Sequence, residues 1–180
     1  MTALPYEIRS ATPDDVTEIL RIEEACFSAP WTRKMVEAEL TGNPFARFLV
    51  VKETFPGQSA PASVIAYLCY WIVFEELRLM NLAVIASKRR TGIAKQLVTT
   101  ALQQGLSQAA TRAVLEVRSS NLAAQRLYAG FGFQRTSVRK QYYTNPVEDA
   151  VLMELEPLLL RPVSPPSLMF PSGGQSQLLQ

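Results

Sequence analysis

Apolar and polar positions recur along this chain regularly enough to predict most of its elements. Tyr6–Ser10 reads as a short strand. Thr12-Pro13-Asp14-Asp15 starts a helix, with a capping Thr, Pro at the first helical position and early acids. Val16, Ile19, Leu20 and Ala25 predict its buried face, to about Phe27. Ser28-Ala29-Pro30 breaks that pattern, Thr32 caps a second helix to about Leu40, and Thr41-Gly42-Asn43-Pro44 ends it. Three strands follow at Ala46–Lys52, Ser63–Val73 and Leu77–Val84. A Pro/Gly/Ser-rich hairpin-like loop, Glu53–Ala62, joins the first two, and Phe74-Glu75-Glu76 tightly joins the last two. Ile93, Leu97, Val98, Ala101 and Leu102 keep helical spacing from about Thr91 to Leu106. Alternation around Glu116 marks a strand at Arg112–Arg118. Asn121 caps a helix to about Ala129, which Gly130 stops. Gln134–Tyr142 and Val147–Leu155 close the pattern as two antiparallel strands.

This order predicts an α/β fold: a mixed sheet of about seven strands flanked by about four helices. The strands before and after the Thr91–Leu106 helix are parallel and joined by a right-handed crossover. One domain of residues 1–156 is expected, followed by a tail, 157–180, that holds five of the twelve prolines. From about Pro162 that tail reads as flexible, with Leu168-Met169-Phe170 the one stretch apolar enough to dock.

Composition narrows the chemistry. A chain of 180 residues with 48% apolar and 19% charged residues can bury a core, and a net charge of +2 is no argument for nucleic-acid binding. The longest apolar run, Val64–Phe74, is too short to span a bilayer, so no membrane association is expected and the expected location is cytoplasmic. Cys26 and Cys69 lie in apolar segments without metal-like spacing and read as reduced thiols. The chain has no histidine, which excludes Ser-His-Asp and Cys-His mechanisms and histidine-ligated metals; acid–base work falls to Glu, Asp, Tyr, Lys, Cys or water.

One stretch organises the rest. Met80–Ile85 reads as a strand end, and Arg89-Arg90-Thr91-Gly92-Ile93-Ala94 opens the long helix after it. The free N–H groups and dipole of such a helix start attract anions, and Gly92 and Ala94 leave the backbone open to a phosphate. Ligands in such sheets sit at the carboxyl ends of the parallel strands. That places Val84, Arg90–Ala94 and Val117–Asn121 around one crevice. The pattern lacks Gly-x-Gly-x-x-Gly, which disfavours a dinucleotide-binding module.

The stretch resembles the acetyl-CoA signature of GNAT-superfamily N-acetyltransferases, Gln/Arg-x-x-Gly-x-Gly/Ala. Asn81-Leu82-Ala83-Val84, Leu115-Glu116-Val117-Arg118-Ser119-Ser120-Asn121, Leu127–Phe133, Arg139-Lys140-Gln141-Tyr142-Tyr143 and Pro30-Trp31-Thr32 are similar to the RimI-like ribosomal-protein alanine N-acetyltransferases. The resemblance runs from about Ile8 to Leu155. It implies the GNAT fold, with a bulged strand and splayed parallel strands, acetyl-CoA as co-substrate and no metal. It implies that the backbone of Leu82, Ala83 and Val84 pairs with the pantetheine arm. The pyrophosphate would lie on Arg89, Arg90, Thr91, Gly92, Ile93, Ala94 and Lys95, and Asn121 would both cap its helix and touch the cofactor arm.

The same resemblance implies Glu116 as general base and Tyr128 as general acid. An α-amine with a pKa of about 7.7–8.0 is already partly neutral near pH 7, so Glu116 need only take the proton late, directly or through water, or hold the cationic amine. A phenol near 10 can protonate a thiolate near 8.5 when hydrogen-bonded in place. Trp31, Tyr142 and Tyr143 would wall a groove for a peptide N-terminus, and Glu75, Glu76, Glu148 and Asp149 would meet a basic peptide. The implied acceptor is an N-terminal alanine on a small-subunit ribosomal protein. Two other readings remain: a GNAT acting on a lysine side chain, polyamine or other small amine, and a non-catalytic acyl-CoA sensor. Glu116 and Tyr128 together argue against the sensor.

Overall fold

A computed structural model of the chain describes residues 6–53 and 63–159. The expected loop beyond Glu53, the tail from residue 160 and its Leu168-Met169-Phe170 stretch lie outside the described residues. Strands β1 (Tyr6–Ser10), β2 (Ala46–Glu53), β3 (Val64–Val73), β4 (Glu76–Val84), β5 (Arg112–Arg118), β6 (Gln134–Thr144) and β7 (Val147–Leu155) form one sheet in the order β1-β2-β3-β4-β5-β7-β6. Every pairing is antiparallel except β4 with β5. Helices α1 (Val16–Cys26) and α2 (Arg33–Glu37) pack on one face of the sheet, and α3 (Ile93–Ser107) and α4 (Leu122–Phe131) on the other. This is the expected seven-stranded, four-helix mixed α/β fold.

The local differences have physical causes. Thr12-Pro13-Asp14-Asp15 does start a helical segment, but Pro13–Asp15 makes one 3-10 turn before α1. The buried face of α1 is Val16, Ile19, Ile22 and Glu23; Ala25, expected on that face, is exposed. Thr32 caps α2 as expected, its hydroxyl accepting the Met35 N–H at 3.3 Å, and a π-helical turn, Ala38–Gly42, follows. α4 runs past Gly130 to Gly132, which takes the left-handed conformation with φ of 101°. A Cβ at Gly130, inside the helix, would meet nothing within 4 Å, so the stop comes from the left-handed Gly132. Leu158, beyond the expected domain boundary at residue 156, is 2% exposed and its N–H donates to the Thr111 carbonyl.

Asp15 ties the first strands together. It is 1% exposed, with Arg9 and Lys52 at 2.8 and 2.9 Å. Burial alone would raise its pKa, but the bonds from Arg9, the Thr12 N–H and Lys52 outweigh burial and hold the carboxyl well below its ordinary value. A carboxylate depressed in the folded state stabilises above its unfolded pKa and loses that contribution as pH falls below it. Asp15→Asn is therefore expected to lose roughly 2 kcal/mol at neutral pH. Its urea midpoint should also fall less steeply than the parent's between pH 5 and 3.

Candidate active site

The parallel pair opens where the crevice was expected. β4 and β5 stay in register only from Glu76 opposite Arg112 to Leu79 opposite Leu115. On its other side β4 slips against β3: Cys69 faces Asn81 and Tyr70 faces Leu79, which leaves Met80 as the extra residue of a bulge. A single extra residue reverses which side chains face which way. Leu77 and Leu79 belong to the α3/α4 core before the bulge, Leu82 and Val84 pack against that core after it, and Ala83 lies on the α1/α2 side. Beyond the bulge Leu82–Val84 has no partner on β5, so its backbone edge faces the splay.

The loop into α3 completes one wall. A 3-10 turn, Ala86–Lys88, leads to Arg90 with φ of 65° and Gly92 with φ of 87°. Helix α3 starts at Ile93, two residues later than Thr91, because Gly92 is a left-handed N-cap that turns the chain first. Among the described residues, no oxygen accepts from the amides of Arg90 through Lys95; the next bond is Gln96 N–H to Gly92 O. These amides lie at the positive end of the helix, which suits a diphosphate. Arg89 differs from its neighbours: its Nε donates to the Val84 carbonyl at 3.1 Å, so its side chain lies back toward β4.

Asn121 caps α4 through Oδ1, which accepts the Ala124 N–H at 3.1 Å; its exposed amide nitrogen remains available to a ligand. Within α4, Tyr128 is 7% exposed and its ring meets Phe133 edge-on at 5.8 Å. Burial, and then neighbouring Tyr143, raise its pKa, so the phenol stays protonated at neutral pH. No buried side-chain oxygen or nitrogen among the described residues lacks a partner, so the Tyr128 hydroxyl is not sealed in the core without one.

Glu116 is the first β5 residue past the paired register, on the sheet face opposite Leu115 and Val117. The structure surrounds it with polar groups. Arg139 Nη1 lies 2.6 Å from its carboxylate, and the interaction of Tyr142 with that carboxylate raises the Tyr142 pKa. A bulge in β6 makes this possible: Arg139 faces Ala150 and Tyr143 faces Glu148, so Lys140, Gln141 and Tyr142 together oppose Asp149. Asp149 pins the bulge by accepting from Lys140 Nζ at 2.8 Å and the Gln141 N–H at 2.9 Å. Tyr143 turns inward under the Arg118 guanidinium, 4.1 Å above its ring; burial pushes its pKa up to about 12.

Of the residues expected to meet a basic acceptor, several are already engaged. Glu148 accepts from the Ser120 N–H, Ser119 and Arg118 at 2.6, 3.1 and 3.2 Å, and the Ser120 bonds first among these lower its pKa to about 2. It organises the β5–α4 turn. Glu76 is shared by Arg78 and Arg112, each at 2.8 Å. It sits at the start of β4, four residues along the strand register from Glu116 and so roughly 13 Å away. The structure does not bring Glu76 into the Glu116–Tyr142 cluster, and Glu75 lies beside it in the exposed β3–β4 turn. Trp31 lies on the α1–α2 loop. That loop meets the β6–β7 turn through reciprocal bonds, Ser28 Oγ to the Asn145 carbonyl at 2.6 Å and Asn145 Nδ2 to the Ser28 carbonyl at 3.0 Å.

Sequence reasoning missed two participants. Arg139, in the sequence only one residue of the Arg139–Tyr143 stretch, is the ionic partner of Glu116. Glu23 is 0% exposed and sits under the Trp31 loop. The signal for Glu23 was its place on the α1 stripe, seven residues after Val16 and four after Ile19.

Comparison with known proteins agrees with this architecture. The model of the acetyltransferase (GNAT) family matches residues 16–133. A ribosomal protein bS18-alanine N-acetyltransferase of Haemophilus ducreyi is 32% identical over 151 residues, covering 82% of this chain and 98% of that protein. The crystal structure of the ribosomal-protein-S18-alanine N-acetyltransferase from Escherichia coli superposes with a TM-score of 0.74 at 26% identity, over 92% of this chain and 99% of that one. Arabidopsis thaliana NAA60, solved in complex with acetyl-CoA, shares the fold with a TM-score of 0.76 at 16% identity, over 84% and 98% of the two chains.

Proposed function

The chain belongs to the acetyltransferase (GNAT) family and is an acetyl-CoA-dependent N-acetyltransferase, and we propose that its acceptor is the α-amino group of an N-terminal alanine on a small-subunit ribosomal protein. The observation that carries this reading is the splay itself. β4 and β5 part after Leu79 and Leu115, which leaves the Leu82–Val84 edge without a β5 partner, puts Glu116 just past the paired register, and is followed by the unbonded amides that lead into α3. The relatives named for bS18 alanine acetylation support the acceptor. The reaction belongs in the cytoplasm, and among the described residues no helix is long and apolar enough to cross a membrane.

Bound acetyl-CoA supplies an activated acetyl group as a thioester. The backbone of Leu82–Val84 pairs with its pantetheine arm, the Arg90–Lys95 amides hold its pyrophosphate, and Asn121 Nδ2 bonds its arm. Glu116 receives the proton lost by the attacking amine, directly or through water. For this, Arg139 must yield part of its bond, because guanidinium and ammonium compete for the same carboxylate. Tyr128 gives its proton to the departing sulfur. Tyr142, Tyr143 and Trp31 wall the acceptor's path.

The deciding assay measures thiol release from acetyl-CoA with four acceptors: a peptide beginning with Ala, the same peptide blocked at its α-amine, a peptide offering only lysine, and spermidine. Turnover on the free Ala peptide and not on its blocked twin is expected. Turnover only on lysine or spermidine would keep the family and remove the acceptor. Glu116→Gln is expected to lower kcat/KM about tenfold at pH 7 and to shift the acid limb of the pH–rate profile. An unchanged profile at full activity would remove it as base.

A further inference from the structure

We infer that Glu23 is a positioning residue that sets the acceptor loop against the cofactor strand. The inference rests on the proposed function for the roles of that loop and strand and for its kinetic readout. The carboxylate is fully buried and receives donors from three elements. Oε1 accepts from the Tyr67 hydroxyl on β3 and from Asn81 Nδ2 on β4 at 2.8 Å. Oε2 accepts the Trp31 N–H of the α1–α2 loop at 2.8 Å.

The chemistry of the surroundings selects a carboxylate. The Trp31 N–H and Asn81 Nδ2 can only donate, and they approach different oxygens, so the side chain here must offer an accepting oxygen on each side. Ion pairing does not explain the residue, because no Lys or Arg among the described residues pairs with it. The donors also have meaningful addresses. Asn81 directly follows the Met80 bulge and precedes the Leu82–Val84 edge. Trp31 lies on the loop whose Ser28 is bonded to Asn145 across the acceptor side. One carboxylate thus fixes the spacing between the wall of the acceptor path and the strand edge beside the reacting carbonyl. A small error in that spacing is costly in a reaction that depends on alignment.

The two oxygens can be separated experimentally. Glu23→Gln replaces one of the two accepting oxygens by an NH2; with the amide oxygen facing Tyr67 and Asn81, that NH2 meets the Trp31 N–H. Donor then meets donor, and the loop is released while the inner pair is kept. Tyr67→Phe does the opposite: it removes one inner donor and leaves the Trp31 bond. Both variants lose stability. Only Glu23→Gln is expected to raise the KM for an Ala-starting peptide, about tenfold, with the dissociation constant of acetyl-CoA by calorimetry unchanged. An equal KM rise in both variants, or none in Glu23→Gln, would overturn the proposal.

A second measurement needs neither a variant nor an acceptor. In the unaltered full chain the Trp31 amide is expected to resist hydrogen exchange far better than the neighbouring amides of Ser28 and Ala29. Exchange as fast as those neighbours would also overturn it. Should no peptide of the panel be acetylated, the acceptor reading fails on its own and the exchange of the Trp31 amide decides the role of Glu23.

Discussion

Tyr128→Phe is expected to lower kcat by about a hundredfold or more while leaving acetyl-CoA affinity within a factor of about two. The substitution removes one oxygen and nothing else from a ring that is 7% exposed and packed edge-on against Phe133. Core packing is therefore kept, and the loss reports the proton. At ordinary pKa values, moving a proton from a phenol at 10 to a thiolate at 8.5 is uphill by about 2 kcal/mol. Burial, and then Tyr143, raise the Tyr128 pKa further, so the step needs the sulfur close and the proton moving as the bond to carbon breaks. Without the hydroxyl the thiolate leaves unprotonated, and the full cost of its charge falls on the transition state. Steady-state kinetics with calorimetry on the same preparation check this. Equal kcat for variant and parent would return Tyr128 to a packing role, and a parallel loss of acetyl-CoA binding would show a collapsed site.

The parts of this site that were legible in the sequence are those written into backbone geometry or a short contiguous motif. Asn121 announces a cap, and Arg89–Ala94 announces a helix start with open amides. The Leu-Glu-Val alternation places Glu116 on the face opposite the α3/α4 core. What was hidden depends on pairs far apart in sequence. Arg139 reaches Glu116 only because β6 bulges opposite Asp149, and a bulge shows up as pairing, which no single segment displays. The same pairing consumes Glu148, Asp149 and Glu76, whose carboxylates look available to a basic acceptor when read one by one. Glu23 was hidden differently. Its helical position is apolar, but a Glu among Glu24 and other polar neighbours reads as solvated until the Tyr67, Asn81 and Trp31 donors are placed around it.

Gly92→Asp is expected to weaken acetyl-CoA binding by about a hundredfold, with a smaller loss for Gly92→Asn. Gly92 has φ of 87°, a region that Asp and Asn tolerate better than other side chains, and a Cβ there meets nothing within 4 Å. Both variants should therefore fold with similar, modest strain. They differ in charge. A carboxylate at this position lies among the free amides of Arg90–Lys95, satisfies some of them, and repels a pyrophosphate from the rest. The Asn variant carries the same bulk without the repulsion, so the gap between the two isolates electrostatics from shape. That gap should narrow as salt rises, because the site is exposed at Gly92 and Lys95. Calorimetric titration of acetyl-CoA into the three proteins at low and high salt reads it directly. Equal affinities for Asp and Asn would mean that the diphosphate is held elsewhere, by side chains rather than by the turn into α3.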